Sequence, residues 1–376
     1  MIELPPFDAL GLSLHHSPGV QAILVGSGLS RAAGIPTGWE ITIDLIRRLA
    51  ALVGVREHDD WPKWYHAKYG KEPSYSEILD ALASTSAERR AILHSYIDPP
   101  EGGDIRKPTK AHHAIAQLVA SNAVRVVITT NFDRLIENAL RDAGVEPTVI
   151  ASDDAISGAT PLVHARCTVI KVHGDYLDAR IKNTEAELED YSLATNALLD
   201  KVFDNFGLLV VGWSGEWDLA LRSAILRAPS RRYPFYWAAR GTVGRLAQDL
   251  LLQRGGRSFP ITDADSFFVK LSDTLEALRQ ASRPHPQSVE LAVALAKRYC
   301  RDDKFAMEWA EFLHFEVEKV RGYVTGPEYP RAGTNDSLDL TVTRFIARTE
   351  ILRRACLVCG RWGTQEANKA VARTIQ

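Results

Sequence analysis

The stretch Ala22-Ile23-Leu24-Val25-Gly26-Ser27-Gly28-Leu29-Ser30-Arg31-Ala32-Ala33-Gly34-Ile35-Pro36 decides the fold. Its first four residues are uniformly apolar, as expected of a parallel strand buried on both faces. The glycines that follow read as a tight turn. Such a turn lets backbone N–H groups approach a phosphate, and the next helix start favours negative charge. The spacing departs from the ordinary dinucleotide fingerprint, because Arg31 stands where the third glycine would fall and the next glycine is Gly34. No lysine occupies the P-loop position, which excludes a Walker-type nucleotidase. A helix is expected from about Trp39 to Val53, with Ile41, Leu45, Leu49 and Leu52 on one face.

Outward from this unit the same alternation recurs. Strands are expected at Val124–Thr130, Thr168–Val172, Gly207–Gly212, Tyr233–Ala238 and Phe259–Ile261. Helices are expected at Asp133–Ala143, Asn196–Phe206, Trp217–Arg227, Val243–Gln253 and Phe267–Leu278. The pattern predicts an α/β fold: a Rossmann-like parallel sheet with helices on both faces. Residues 58–108 break it. They carry Trp61, Trp64, Tyr65, Tyr69 and Tyr75, then helical patterns at Ile78–Ala83 and Arg90–Ile97, and read as a small helical insertion. Ser282-Arg283-Pro284-His285-Pro286 reads as a linker, and the chain beyond it as helical. The expected domains are 1–283, catalytic, and 284–376, a C-terminal helical domain. In the latter, Arg344, Arg348, Arg353, Arg354 and Arg361 read either as a solvated face or as a partner surface.

A chain of 376 residues is long enough for about two domains. With 45% apolar and 24% charged residues it has the balance of a globular protein. Its net charge of -2 provides no overall positive field, so direct nucleic-acid binding is not expected. The start lacks the basic and apolar regions of a secretory signal. The strongly apolar run at 208–213 is too short to span a bilayer. Four cysteines make no disulfide scaffold in a chain of this length. A reduced, soluble, cytoplasmic protein is expected.

Three further segments can carry chemistry, and each has a plain structural reading beside the functional one. Thr129-Thr130-Asn131-Phe132-Asp133 closes an expected strand, where open α/β sheets bind ligands, but Asp133 also suits a helix N-cap. Lys171-Val172-His173-Gly174-Asp175 places a histidine at a strand end, as a general base or as a structural side chain. Gly212-Trp213-Ser214-Gly215-Glu216-Trp217-Asp218 is another strand–glycine–hydroxyl turn, in which Ser214 caps a helix, bonds a phosphate, or does both.

Taken together, the order and spacing of these segments resemble the sirtuin family over about residues 18–280. Gly26-Ser27-Gly28-Leu29-Ser30 with Gly34-Ile35-Pro36 is similar to the family's G-A-G-x-S…G-I-P loop. Thr130-Asn131-Phe132-Asp133 is similar to T-Q-N-x-D, His173-Gly174 to H-G, and Gly212-Trp213-Ser214 to G-T-S. The resemblance implies NAD as substrate. It implies Gly26, Ser27, Gly28, Ser30, Gly34, Ile35, Pro36, Thr130, Gly212 and Ser214 as binding residues. It implies Asn131, Asp133 and His173 as the catalytic set, with Asn131 at the nicotinamide ribose, Asp133 on the carboxamide and His173 as base. Deacetylating sirtuins also carry a zinc module between the H-G and G-T-S segments. Here no cysteine lies between His173 and Ser214, and Cys356-Leu357-Val358-Cys359 is a single pair in the helical region, so no zinc is expected.

The variant set looks like the zinc-less sirtuin-like proteins of prokaryotic antiphage systems. That resemblance implies an NAD+ glycohydrolase releasing nicotinamide and ADP-ribose. It also implies homo-oligomerisation or a separate partner, such as a HerA-type ATPase or a short Argonaute. A non-catalytic NAD- or ADP-ribose-binding module and a deacylase or ADP-ribosyltransferase are the other readings.

Overall fold

A computed structural model describes residues 4–98, 106–177, 189–281, 286–326, 329 and 338–375. Seven strands form one wholly parallel sheet: β1 (Gln21–Val25), β2 (Val124–Thr129), β3 (Thr148–Ile150), β4 (Thr168–Lys171), β5 (Gly207–Val211), β6 (Phe235–Ala239) and β7 (Arg257–Pro260). Their spatial order is β3-β4-β2-β1-β5-β6-β7. The chain therefore builds one half outward from β1, crosses back, and builds the other half from β5. The loops of the neighbouring strands β1 and β5 leave in opposite directions, which is where open α/β sheets leave a crevice at their C-terminal edge.

Alternate residues of the central strands face opposite sides. Ile23, Val25, Val127, Val169, Leu209 and Val211 pack with helices α1 (Pro6–His16), α6 (Lys110–Ala120), α7 (Leu135–Asp142) and α12 (Ala264–Ala281). Ala22, Leu24, Val126, Ile128, Ile170, Leu208 and Val210 pack on the other side. There they meet α9 (Leu193–Asn205), α10 (Leu219–Arg227) and α11 (Arg245–Arg254), with α8 (Asp153–Gly158) at the margin. Two buried faces explain why these strands read as continuous apolar runs. The expected α/β architecture is the one observed.

After the glycine loop a short 3-10 turn at Ser30–Ala33 ends at Gly34 in a left-handed conformation (φ +79°). Helix α2 (Gly38–Leu52) begins later, behind a Thr37–Glu40 capping box that satisfies the Thr37 and Glu40 N–H groups. Residues 58–108 do contain helices: α3 (Trp61–Tyr69), α4 (Tyr75–Leu82) and α5 (Ser86–Ile97). Tyr65, Ile78, Leu79 and Leu93 share a small core with Leu45 and Ile46 of α2, and Phe132 packs against it. Residues 99–105, at the end of this segment, lie outside the described residues.

The chain divides into two compact units, 1–276 and 277–376. Within the second, α13 (Pro286–Cys300), α14 (Ala306–Thr325), α15 (Leu338–Arg348), α16 (Glu350–Trp362) and α17 (Gln365–Ile375) are present. Its core centres on Trp309, fully buried with its indole N–H donated to the Ala367 carbonyl at 3.1 Å. Helices α15 and α16 follow one another almost without a break. They meet at Thr349, whose hydroxyl donates to the Phe345 carbonyl (2.8 Å), a back-bond that favours a bend. Residues 282–285 of the expected linker lie outside the described residues, and Pro286 already starts a helix.

Candidate functional site

Strand register puts the four singled-out segments side by side. Val25 is level with Thr129 on one side and Val211 on the other, and Thr129 is level with Lys171. The residues leaving the sheet at one edge are therefore Gly26, Thr130, Val172 and Gly212, each opening one segment.

The β1 and β5 loops touch through their glycines. A Cβ on Gly26 would lie 2.6 Å from the Gly212 carbonyl oxygen, and one on Gly28 2.9 Å from the Gly212 Cα. Gly26 N–H donates to the Val211 carbonyl (3.2 Å) and Gly28 N–H to the Gly212 carbonyl (3.0 Å). Two N–H groups of the glycine loop are therefore engaged in joining the β1 and β5 loops. Gly212 has φ +71°, and a Cβ there would meet the Leu29 amide nitrogen at 2.9 Å. Gly212→Ala should therefore lower stability by about 2 kcal/mol, read from the denaturant midpoint, since neither the strained φ nor the facing backbone can relax.

Ser30, Asn131 and Asp133 form one hydrogen-bonded unit. The Asn131 side-chain amide donates to Ser30 Oγ at 3.1 Å, and the Ser30 hydroxyl donates to Asp133 Oδ2 at 2.8 Å. Asp133 Oδ1 accepts the Leu135 N–H at 3.0 Å, a turn just ahead of α7, whose N-cap position is held by Arg134 and not by Asp133. All three side chains are buried, and the cluster spans about a hundred residues of sequence. Thr129 Oγ1 accepts the Asn131 N–H and shapes the turn.

Beneath this turn lies Lys171, whose side chain has no exposure. Its ammonium donates to the Phe132 carbonyl (3.1 Å), the Asp133 carbonyl (2.5 Å), Glu137 Oε1 (3.0 Å) and Asp175 Oδ2 (3.0 Å). Arg134 also pairs with Asp175 at 2.8 Å. Burial alone would raise the Asp175 carboxyl; Lys171 and Arg134 outweigh it and hold it below the usual carboxylate range. Sequence reading missed Lys171. The signal was a lone cation in the apolar run Val169-Ile170-Lys171-Val172, which a buried strand accepts only when the charge is paired.

His173 leaves β4 with its ring 6.2 Å from that of Phe132. Its Nε2 lies 2.6 Å from Asp218 Oδ2, which also accepts the Tyr191 hydroxyl at 2.6 Å. Asp218, not Ser214, caps α10: its Oδ1 accepts the Leu221 N–H at 2.8 Å, whereas exposed Ser214 accepts only the nearby Glu216 N–H at 3.3 Å. Burial would raise the Asp218 carboxyl; hydrogen bonds and charge from His173, with the Tyr191 hydroxyl, hold it low. Asp218 and Tyr191 are the functional candidates that sequence reading missed.

The remaining binding candidates fall on one loop. Ser27 Oγ accepts the Gly38 N–H at 3.4 Å, Ile35 is buried, and Gly34 and Pro36 are not. The helical insertion touches the site through two further contacts. His94 Nε2 lies 2.6 Å from the Tyr176 carbonyl, and Arg90 donates to the carbonyls of Tyr176 and Leu177 at 3.1 and 2.9 Å. Of the described residues, no three or more His, Cys, Asp or Glu side chains group as metal ligands. Cys356 is half-buried on α16, and Cys359 is fully buried there.

His112, on α6, is a second histidine near Asp133. Burial pushes it down to about 4, against the pull of the Asp133 and Asp265 carboxylates. Its folded value lies below the ordinary 6.5, so the unfolded chain takes up a proton that the native state refuses. Stability is full above pH 6.5 and falls as pH drops toward 4, by on the order of 3 kcal/mol. His112 Nδ1 accepts the Thr109 N–H at the start of α6 (3.1 Å), a cap that glutamine also provides. His112→Gln should therefore fold and show a flatter loss of stability across that range in urea titrations.

Residues 125–244 match the model of the SIR2-like domain. No curated protein matches the chain. The solved structures similar to it include one described as "Structural Basis for the Mechanism and Regulation of Sir2 Enzymes", at 14% identity over 74% of this chain and 100% of that one, with a TM-score of 0.41. A Sir2 homolog–NAD complex is similar at 14% identity over 72% of this chain and 94% of that one, with a TM-score of 0.38. The matched stretch runs from β2 to the loop before α11 and holds Asn131, Asp133, His173, Ser214 and Asp218. Residues 125–244 are thus similar to a SIR2-like domain.

Proposed function

We propose that the chain binds NAD+ at the C-terminal edge of β1, β2, β4 and β5 and hydrolyses its nicotinamide–ribose bond. The observation that carries this reading is the register that sets Gly26, Thr130, Val172 and Gly212 level, so that the segments bearing the Ser30–Asn131–Asp133 unit and His173 leave the sheet at one edge. The SIR2-like assignment of residues 125–244 supports NAD+ as the ligand.

Breaking the bond places oxocarbenium character on the ribose, and nicotinamide leaves neutral with the C–N electron pair. No acid is needed for that departure. Asn131, fixed by Ser30, orients the ribose and a water; Asp133 receives the carboxamide; the water oxygen bonds to the ribose carbon, and His173 takes its proton. The products are nicotinamide, ADP-ribose and one proton.

A cytoplasmic effector of antiphage defence, triggered by oligomerisation or by a partner such as a HerA-type ATPase or short Argonaute, is the setting we propose for this activity. Incubation with NAD+ should release nicotinamide. Asn131→Ala and His173→Ala should retain the fold and lose the release. Stabilisation by NAD+ without turnover, unchanged by His173→Ala, would instead mark a binding module. Turnover only with an acyl-peptide or protein acceptor would mark a transferase.

A further inference from the structure

His173 does not stand alone. Asp218 is buried, its Oδ2 lies 2.6 Å from His173 Nε2, and the same oxygen accepts the buried Tyr191 hydroxyl at 2.6 Å. An ionised carboxylate only accepts hydrogen bonds, so Nε2 carries the proton that points at it. Of the two ring nitrogens, Nδ1 is then the one with a lone pair to offer. We propose that Asp218, backed by Tyr191, is the positioning residue of His173: it fixes the ring with Nε2–H directed inward and makes Nδ1 the nitrogen that accepts a proton from water or a ribose hydroxyl. This deepens the hydrolase reading and rests on it for the identity of the proton donor.

Three elements converge here. His173 comes from the end of β4, Asp218 from the first turn of α10, and Tyr191 from the segment before α9. Lys171 and Asp175, two residues to either side of His173, are engaged with each other, Glu137 and Arg134. Among the described residues, Asp218 is hydrogen-bonded to the His173 ring and Tyr191 to Asp218. Asp218 also has a structural duty, because its Oδ1 caps α10 through the Leu221 N–H. A role confined to that cap would leave Oδ2 dispensable, and the test separates the two oxygens.

Asp218→Asn keeps the cap, since asparagine is an equally good N-cap. It places an amide where Oδ2 accepted, so the ring must offer Nε2 as an acceptor and carry its proton on Nδ1. The inference expects kcat for nicotinamide release to fall at least about 100-fold near neutral pH, as orienting-carboxylate losses do. KM should stay within about 2-fold and the pH profile should change shape. Tyr191→Phe, which leaves the His173–Asp218 pair intact, should cost roughly 10-fold or less. The decisive readout does not need turnover. Nitrogen-15 spectra of the labelled protein should show His173 protonated on Nε2 in the wild type and on Nδ1 in Asp218→Asn. An unchanged tautomer, or an unchanged kcat and pH profile in a folded Asp218→Asn, overturns the proposal. Absence of NAD+ turnover with the tautomer switch present would overturn the hydrolase reading and leave the positioning role standing.

Discussion

Lys171→Met is expected to lower the unfolding free energy by about 3–5 kcal/mol, the usual cost of removing one partner from a buried ion cluster. The ammonium has four acceptors, and Glu137 and the carbonyls of Phe132 and Asp133 would lose their shared donor. Arg134 still pairs with Asp175, so Glu137 is left as the uncompensated buried charge. The double variant Lys171→Met/Glu137→Leu should recover much of the loss, because replacing a buried pair by apolar groups is often neutral. It should not recover the site. The Asn131–Asp133 turn hangs from Lys171 by two carbonyls, and a methionine holds neither. Denaturant midpoints and nicotinamide release measured on the same three proteins separate the two effects. Equal stability of Lys171→Met and wild type would show that the cluster does not bear on the fold.

The second large effect concerns chemistry. Asn131→Ala and His173→Ala should each reduce nicotinamide release by about 10²–10⁴-fold, the span associated with a positioned proton acceptor and with orientation of the reacting groups. Their signatures differ. Asn131 is locked to Ser30 at 3.1 Å, so its loss also frees the Ser30–Asp133 pair and should raise KM as well as lower kcat. His173 faces Asp218, so its loss should act on kcat and leave a buried carboxylate without one of its hydrogen-bond donors. Ser30→Ala removes the hinge of the unit while sparing both ends and should fall between wild type and Asn131→Ala. Variants indistinguishable from wild type would refute the assigned roles.

Much of the fold was legible because both faces of the sheet are buried. Ala22–Val25, Val126–Ile128 and Leu208–Val211 are unbroken apolar runs, and glycine or a hydroxyl residue marks where each leaves the sheet. Elements with weak local signals escaped. Strand β3 has three residues, α1 mixes apolar residues with His15 and His16, and α6 begins with Lys110-Ala111-His112-His113. The site was legible at strand ends, where Asn131 and His173 stand. It was not legible where function depends on distant partners. Asp218 reads as one acid in a polar turn until the fold brings it to His173, 45 residues away in sequence. The glycine loop shows the converse. Gly26 and Gly28 read as a phosphate cradle, yet the close approach of Gly212 accounts for both, and their N–H groups are engaged there. Helix α2 likewise caps itself through Thr37 and Glu40.

The product balance from NAD+ tests the central claim most directly. With no acyl peptide or protein acceptor added, the wild-type chain should release nicotinamide and ADP-ribose in a 1:1 ratio, and His173→Ala should release neither. Nicotinamide formed only when an acceptor is supplied, or no nicotinamide from a wild-type protein that binds NAD+, would contradict it.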